Sequence, residues 1–554
     1  MADMFGIEPP QKRPRLNSSY SRSRSHSFKY APHQPDSEPT TQQDTGSKCN
    51  NPASEKSPDT ILNGQEWHDS QANPHNAPPA FHGQAYTSPH STTRTPDDLF
   101  HRSPESWYQD GFSQDPGFLA SQEELRTIIF TLANSAAPTR ASSPETGKAS
   151  VSASGTVSED STSALQYRNG KQSHSQGSPL SCRRRIEYLK NYVAEIAPWL
   201  DMFDSTHTFA YQLPSLATSF PALSYAILAI SARQMERRSG IRDWYDSLEL
   251  YQEAIRLLSP LLQVRDPKIV AACVLLCCLE MMSARAQDWH RHLEGCAALF
   301  DAFGIHGFCG GLLQAVFWCY ARMDLCGALI SDGTGTTVLH PSKWLPMGCR
   351  EEDVHRLFRE ARTPDMHANY AVYLTVKTTE LVSNRTTFVE LGEENGCTTE
   401  VFNARWTTLW SELQTWLAER PAELLPVQTI SRRPFPQILF VHWAAISSNQ
   451  LYHTACILLL KMIPKGLRMP RAPTLSLLWH ARRICGISAS NKHQGCLNNA
   501  IQPLWIAGRL FSHASEHEQI VKIIRDIEAE TGWAACWRIR DLEVSWGYGT
   551  RREH

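Results

Sequence analysis

Cysteine and histidine are the residues best able to do metal or thiol chemistry in this 554-residue chain, and their spacing argues against both. A structural zinc site places ligands two to four residues apart and repeats the pair, because four donors must converge on one ion. No Cys-x-x-Cys occurs among the 15 cysteines. Cys273 and Cys277 stand one helical turn apart with Cys278 beside them, inside the apolar run 269–279, where a thiol packs as a small apolar side chain. His292 and Cys296 also stand one turn apart, but no second pair accompanies them. Cys319 and Cys326 bracket six residues of a further apolar stretch and are isolated there. The chain has no Gly-x-Ser-x-Gly elbow, no Gly-x-x-x-x-Gly-Lys and no His-Glu-x-x-His. Gly333-Thr334-Gly335 has no strand–helix frame that would make it a dinucleotide turn. These residues point to no catalytic site, no metal site and no resident cofactor.

The elements that would have to position such groups divide sharply along the chain. Residues 1–180 hold 18 of the 34 prolines and 29 serines but only 14 isoleucines, leucines and valines. Such a segment buries too little apolar surface to offset chain entropy and is expected to stay largely disordered. Residues 181–554 hold 14 of the 16 tryptophans and have the periodicity of helices. Leu248, Tyr251, Ile255, Leu258 and Leu262 step by three and four, with Pro260 set to bend the end. Residues 269–282 are apolar nearly all round and predict a central buried helix. Stretches 293–303, 312–329, 402–417, 438–462 and 519–530 read as further helices, and few segments alternate with period two. The expected fold is an all-α, many-helix domain at 181–554 behind a disordered region at 1–180.

Charge and length exclude more. With 54 basic and 56 acidic residues, the chain cannot hold nucleic acid by bulk charge. Its longest apolar run is far shorter than the ~20 residues that span a bilayer, so no membrane partner is expected. Within 1–180, Lys12, Arg13 and Arg15 form a short basic cluster of the kind a nuclear import receptor grips. Between 97 and 124, seven acids face one arginine and interleave with Phe100, Trp107, Tyr108, Phe112 and Phe118. Such a segment is either an activation segment that offers aromatics to a partner groove or a linker docked on its own folded half. Ser121-x-x-Glu124 reads as a capping box, followed by Leu125, Ile128, Ile129 and Leu132 at i, i+3, i+4 and i+7. One amphipathic helix this short needs a partner surface. Arg183, Arg184 and Arg185 form the other compact basic run, a candidate phosphate contact or the flank of a helix.

Several stretches taken together resemble a known family. They are Ala197-Pro198-Trp199-Leu200-Asp201-Met202-Phe203-Asp204, then Trp289-x-x-His292-Leu293-x-Gly295, then Phe317-Trp318-x-x-x-Arg322-x-Asp324. Pro503-Leu504-Trp505-Ile506-Ala507-Gly508, Glu530-Thr531-Gly532-Trp533, Trp537-Arg538-Ile539 and Trp546-Gly547 complete the set. In this order they resemble the fungal-specific transcription factor domain, the regulatory half of zinc-cluster (Zn(II)2Cys6) regulators. The resemblance implies a nuclear regulator of transcription by RNA polymerase II, often of metabolic or biosynthetic genes. Such regulators meet the transcription machinery or co-regulators and bind DNA as dimers. The aromatic and charged motif residues, Trp199, Trp289, His292, Trp318, Arg322, Asp324, Trp505, Trp533, Arg538 and Trp546, are expected to be architectural.

The family's DNA reader is a cluster in which six thiolates share two zinc ions. Residues 1–181 hold a single cysteine, Cys49, so no zinc ligand carries over and DNA contact is expected to be indirect or to come from an upstream segment. The competing expectation is a helical ligand- or protein-binding scaffold without a direct transcriptional role.

Overall fold

The 269–282 run becomes the centre of the protein because no face of it can be left in water. In the computed structural model it forms a helix, Pro267–Ser283, in which every side chain from Ile269 onward is buried. The structure describes residues 111–136, 180–240, 246–261, 264–283, 286–331 and 335–548. All of these lie in one compact unit, Thr92–His554. Lys12, Arg13, Arg15, Phe100, Trp107 and Tyr108 lie outside the described residues.

Fourteen helices of eight residues or more are present among the described residues. They are α1 (Pro116–Ala136), α2 (Cys182–Asn191), α3 (Pro221–Ser239), α4 (Asp246–Leu258), α5 (Pro267–Ser283), α6 (Ala286–Phe303) and α7 (Gly311–Ile330). Then follow α8 (Pro364–Thr386), α9 (Thr399–Ala418), α10 (Trp443–Leu460), α11 (Leu477–Ser490), α12 (Ile501–Gly508), α13 (Ala514–Thr531) and α14 (Trp537–Ser545). One antiparallel hairpin, β1 (Gln428–Ile430) and β2 (Gln437–Leu439), pairs Thr429 with Ile438. The chain is all-α.

Local chemistry sets the ends. Ser181, Thr363 and Ser476 cap α2, α8 and α11 by accepting the N–H of Arg184, Met366 and Trp479. Pro364 occupies the first turn of α8, where its missing N–H has no partner to lose. Pro260 ends α4 in a single 3-10 turn, Ser259–Leu261. The predicted helix over 438–462 starts later than expected, at Trp443, because His442 Nδ1 accepts the Ala444 N–H as its cap. Ile438 instead lies in β2, which packs on α11 through Gly486. A Cβ there would sit 2.2 Å from the Pro436 carbonyl oxygen.

The packing is layered about α5. Helices α3, α6 and α7 pack on it, α4 packs on α3, and α8, α10 and α11 extend the stack. Helix α8 was not anticipated, because its buried face carries Asn369, Thr375, Thr378, Thr379 and Ser383. Three of these hydroxyls donate to carbonyls of the same helix, Thr375 to Ala371, Thr378 to Leu374 and Thr379 to Val376, so these threonines enter the core with their hydroxyls satisfied.

Two buried histidines meet where α10 faces α11. His453 Nδ1 lies 2.8 Å from His480 Nδ1, and His480 Nε2 lies 2.8 Å from the Thr474 carbonyl oxygen. A carbonyl only accepts, so His480 Nε2 carries its proton and His480 Nδ1 accepts from His453. Burial pushes His480 down to about 4, and burial together with His480 itself pushes His453 well below the ordinary histidine range. An unfolded histidine titrates near 6.5, so between there and 4 the unfolded chain takes up protons that the folded chain refuses. This contribution is fully present above the unfolded value and is lost as the pH falls, by about 3 kcal/mol for His480 alone. The expected result is a urea midpoint that drops more steeply from about pH 7 to about pH 4.5 in the wild type than in His453→Phe/His480→Phe, read by circular dichroism. Equal slopes would show that the pair is not the acid-sensitive element.

Candidate functional site

The acidic-aromatic segment and the helix behind it meet the helical body directly. Helix α1 begins earlier than the expected capping box. Asp115 Oδ1 accepts the N–H of Gly117 at 2.7 Å and of Phe118 at 3.2 Å, and Pro116 fills the first position. Ser121 does not cap. Its hydroxyl donates to the Gly117 carbonyl one turn back. With the start moved back, Phe118 joins the stripe of Leu125, Ile128, Ile129 and Leu132, all buried at 3% exposure or less. The partner surface that this helix needed is α6 and α4 of its own chain. Gly295 on α6 makes the approach possible, since a Cβ there would sit 3.0 Å from Ile129 Cγ2. The ordered body therefore reaches back to residue 111, well inside the region expected to be disordered.

At the N-terminal end of the seam, Phe112 is fully buried beneath the guanidinium of Arg233, 3.9 Å from its ring centroid. Phe112 packs on Phe118 at 4.7 Å and Phe118 on Tyr251 at 5.4 Å. Arg233 Nε donates to Ser283 at 2.9 Å, and its charge is balanced by Glu236 at 3.6 Å. Burial raises the Glu236 carboxyl, against the lowering effect of Ser247, whose N–H and hydroxyl both donate to it.

The centre of the seam is Glu280, the one carboxylate in α5, with no solvent exposure. Its Oε1 accepts from the Tyr251 hydroxyl at 2.5 Å. Its Oε2 accepts from Gln122 Nε2 at 2.9 Å and lies 2.7 Å from His292 Nδ1. His292 Nε2 faces the Gln122 carbonyl oxygen at 3.2 Å. Burial and the neighbouring carboxylate push the Tyr251 hydroxyl far up, so it remains a donor. Gln122 is thus held at both its side chain and its backbone, and helices α1, α4, α5 and α6 close on one polar hub. The hub holds position and makes no bond-breaking arrangement. Among the described residues no group of three or more His, Cys, Asp or Glu is placed to hold a metal ion.

Of the expected activation residues, the structure buries Phe112 and Phe118 in this seam, which leaves neither free for a partner groove while α1 is docked. The three arginines at 183–185 all have partners on the domain. Arg183 pairs with Glu187 at 3.1 Å, Arg184 with Asp246 at 3.0 Å, and Arg185 donates to the Tyr225 hydroxyl at 2.8 Å. They flank α2.

The remaining motif residues are spread over the body. Trp318 donates to Gly307 O and Trp546 to Gly508 O. Asp324 accepts the N–H of Val338 and Leu339 and the hydroxyl of Tyr320. Arg538 lies over Trp505 and Trp537, bonded to Gln502 and the Ile330 carbonyl, and burial lowers it to about 10. Trp199 and Trp533 meet edge to face at 6.0 Å. Trp289 lies in α6, with its side chain outside what is described. Of these, only His292 reaches the seam. Sequence reasoning missed Glu280 and Gln122, although a lone carboxylate inside a run as apolar as 269–282 already demanded buried donors.

The model of the fungal specific transcription factor domain matches residues 187–544, more than half of the chain. The transcription activator AMTR1 of Alternaria alternata is 22% identical over 478 residues, covering 63% of this chain and 61% of that protein. The chain thus spans less than two thirds of the length of this curated relative. No solved structure matches. The matched residues hold α3 to α13, the second half of α2 and most of α14, the body on which the N-terminal segment docks, and the chain belongs to the fungal-specific transcription factor domain family.

Proposed function

We propose that this protein is a nuclear regulator of RNA polymerase II transcription, of metabolic or biosynthetic genes, that recruits its partners through the acidic-aromatic segment and controls that recruitment by docking it. Family membership supports the transcriptional role, and the relative named as a transcription activator points the same way. The observation that carries the control step is the complete burial of Phe112 and Phe118 in the seam. Docked, these rings belong to the core. Released, they sit among acids that keep them soluble until a groove of the transcription machinery or a co-regulator covers them. Lys12, Arg13 and Arg15 bring the chain to the nucleus. DNA is reached through a dimer partner or through a zinc cluster outside this sequence.

The test compares three fusions to a heterologous DNA-binding domain in a reporter cell. Residues 97–136 alone should activate. The full chain should activate several-fold less, and the full chain carrying Ile129→Asp, which puts a charge against Gly295, should regain most of the difference. If residues 97–136 are silent while expressed and nuclear, recruitment by this segment is wrong. If the full chain is as active as the isolated segment, docking is not the control.

A further inference from the structure

The hairpin leaves one edge of its sheet open. Ile438 in β2 donates its N–H to Ser490 Oγ at 3.2 Å, and its carbonyl accepts from Asn491 Nδ2 at 2.7 Å. Phe440 donates its N–H to Asn491 Oδ1 at 2.9 Å. The end of α11 thus closes the outer edge of β2. In an antiparallel ladder, the two members of a pair turn their N–H and C=O either toward each other or both away. Ile438 turns away, so its partner Thr429 in β1 does the same on the opposite side, where no described residue meets it. All three residues of β1 are exposed. Proteins usually blunt such an edge with a charge or a proline in the strand, or cover it, and Gln428–Ile430 has neither device. The outer face beside the edge is apolar. Ile438 packs inward, so Leu439 points outward, and Ile430 shares its face. Each of these two is 45% exposed, with Val427 at 65% and Val441 at 79% next to them.

Past the strand the surface is basic. Residues 424–515 hold ten lysines and arginines and no aspartate or glutamate, whereas the rest of the chain holds 44 against 56. Arg432 and Arg433 follow β1 in the hairpin turn. The Pro436 carbonyl sits against Gly486 and Ile438 meets Ser490, so β2 runs along α11 in the same direction. The turn before β2 therefore points to the N-terminal half of α11. The loop that enters that end of α11, residues 461–472, adds Lys461, Lys465, Arg468 and Arg471. All six cations are exposed, and among the described residues no carboxylate pairs with any of them. Arg482, by contrast, is taken by Glu516 at 3.0 Å. Charges of one sign gathered at one end of a helix make a field that draws in anions and repels a like surface.

We propose that β1 accepts an acidic, extended peptide of a partner protein as a third strand. Its backbone pairs with Thr429, its apolar side chains lie on Ile430 and Leu439, and its carboxylates meet Arg432 and Arg433. Strand addition of this kind takes affinity from main-chain hydrogen bonds and specificity from alternate side chains. The basic pole selects the occupant in two ways. It steers an anionic strand onto the edge, and it repels the identical pole of a second copy that could otherwise pair edge to edge. The site lies on α11, apart from the seam, and does not depend on the release of α1.

The test is fluorescence anisotropy with the full chain and a fluorescein-labelled peptide of alternating valine and glutamate. The expected Kd is on the order of 10 μM at low salt, weakening several-fold at high salt, and the same peptide with lysine for glutamate should not bind. Thr429→Pro removes the outward N–H, and proline is tolerated on an edge whose N–H faces solvent, so this variant should fold and bind at least about tenfold more weakly. Arg432→Glu/Arg433→Glu touches no partner in the fold and should cost about tenfold while flattening the salt dependence. Unchanged affinity in Thr429→Pro would reduce the contact to charge alone. Tighter binding of a DNA duplex of about 20 base pairs, lost in the arginine variant, would make the pole a nucleic-acid contact. A dimer that Thr429→Pro dissociates would give the edge to a second copy, and a tenfold gain on deleting residues 1–110 would give it to the acidic segment of this chain. Each of these results overturns the proposal, as does the absence of peptide binding.

Discussion

Replacing Glu280 with alanine is expected to destabilise the helical body by about 4 kcal/mol and to loosen α1 with it. Glu280 is fully buried and serves Tyr251, Gln122 and His292 from one carboxylate. Its removal strands the buried Tyr251 hydroxyl and Gln122 amide N–H on two different helices and takes the carboxylate from beside His292 Nδ1, and each stranded donor costs roughly 1–3 kcal/mol. The lost side-chain volume adds a cavity term in the middle of α5. Glu280→Gln keeps the shape and one acceptor, for Tyr251, but turns an N–H toward Gln122 Nε2, so about half the loss is expected. Urea denaturation measures both variants, and amide exchange over 116–136 shows whether α1 opens first. A domain of ordinary stability, about 5–15 kcal/mol, survives the glutamine and is marginal with the alanine. A loss below about 1 kcal/mol for the alanine variant would show that the hub is dispensable.

The second large effect is expected at Asp324, in the motif Phe317-Trp318-x-x-x-Arg322-x-Asp324. Asp324 ties residues 338–339 to α7 by accepting two backbone N–H groups, at 2.8 and 3.0 Å, and the Tyr320 hydroxyl at 3.0 Å. The Leu339 carbonyl in turn accepts from Trp344 Nε1 at 3.0 Å. Trp344 is fully buried between Phe317, Trp318 and Tyr373. Asp324→Ala therefore releases a strap and the aromatic ring behind it, at about 3–5 kcal/mol. Asp324→Asn, which keeps one oxygen, should cost less than half as much. Tryptophan fluorescence and thermal melting report both. A red-shifted emission with Asp324→Ala but not with Asp324→Asn is the expected pattern.

These two residues mark different degrees of legibility. Asp324 stood in a motif readable from residue order, and its two-residue distance from Arg322 already said that the pair does not bond to itself. Which groups it serves was not readable, because they lie fourteen and fifteen residues away in an irregular loop. Glu280 passed unnoticed because a buried acid inside an apolar run looks like an interruption until its donors, Tyr251 and Gln122, are found on two other helices. Helix α8 was missed for the opposite reason. Its threonines look solvated, yet several satisfy themselves on their own backbone and so can be buried. The start of α1 was misplaced by giving Ser121 the role that Asp115 and Pro116 hold, although an Asp-Pro pair before a stripe beginning at Phe118 was present to be read.

By itself the sequence determined that this is an all-α body with α5 at its centre, that its motifs match one family of transcription factors, and that an amphipathic helix near residue 125 needed a surface. Those follow from periodicity, composition and residue order, which are local properties of the chain. Only the tertiary structure decided what that surface is. An acidic-aromatic segment is equally soluble alone and equally able to bury its rings, so its composition is neutral between a free recruiter and a docked strap. The choice depends on Gly295 leaving room for Ile129, on Arg233 lying over Phe112, and on Glu280 meeting Gln122 across 158 residues of sequence.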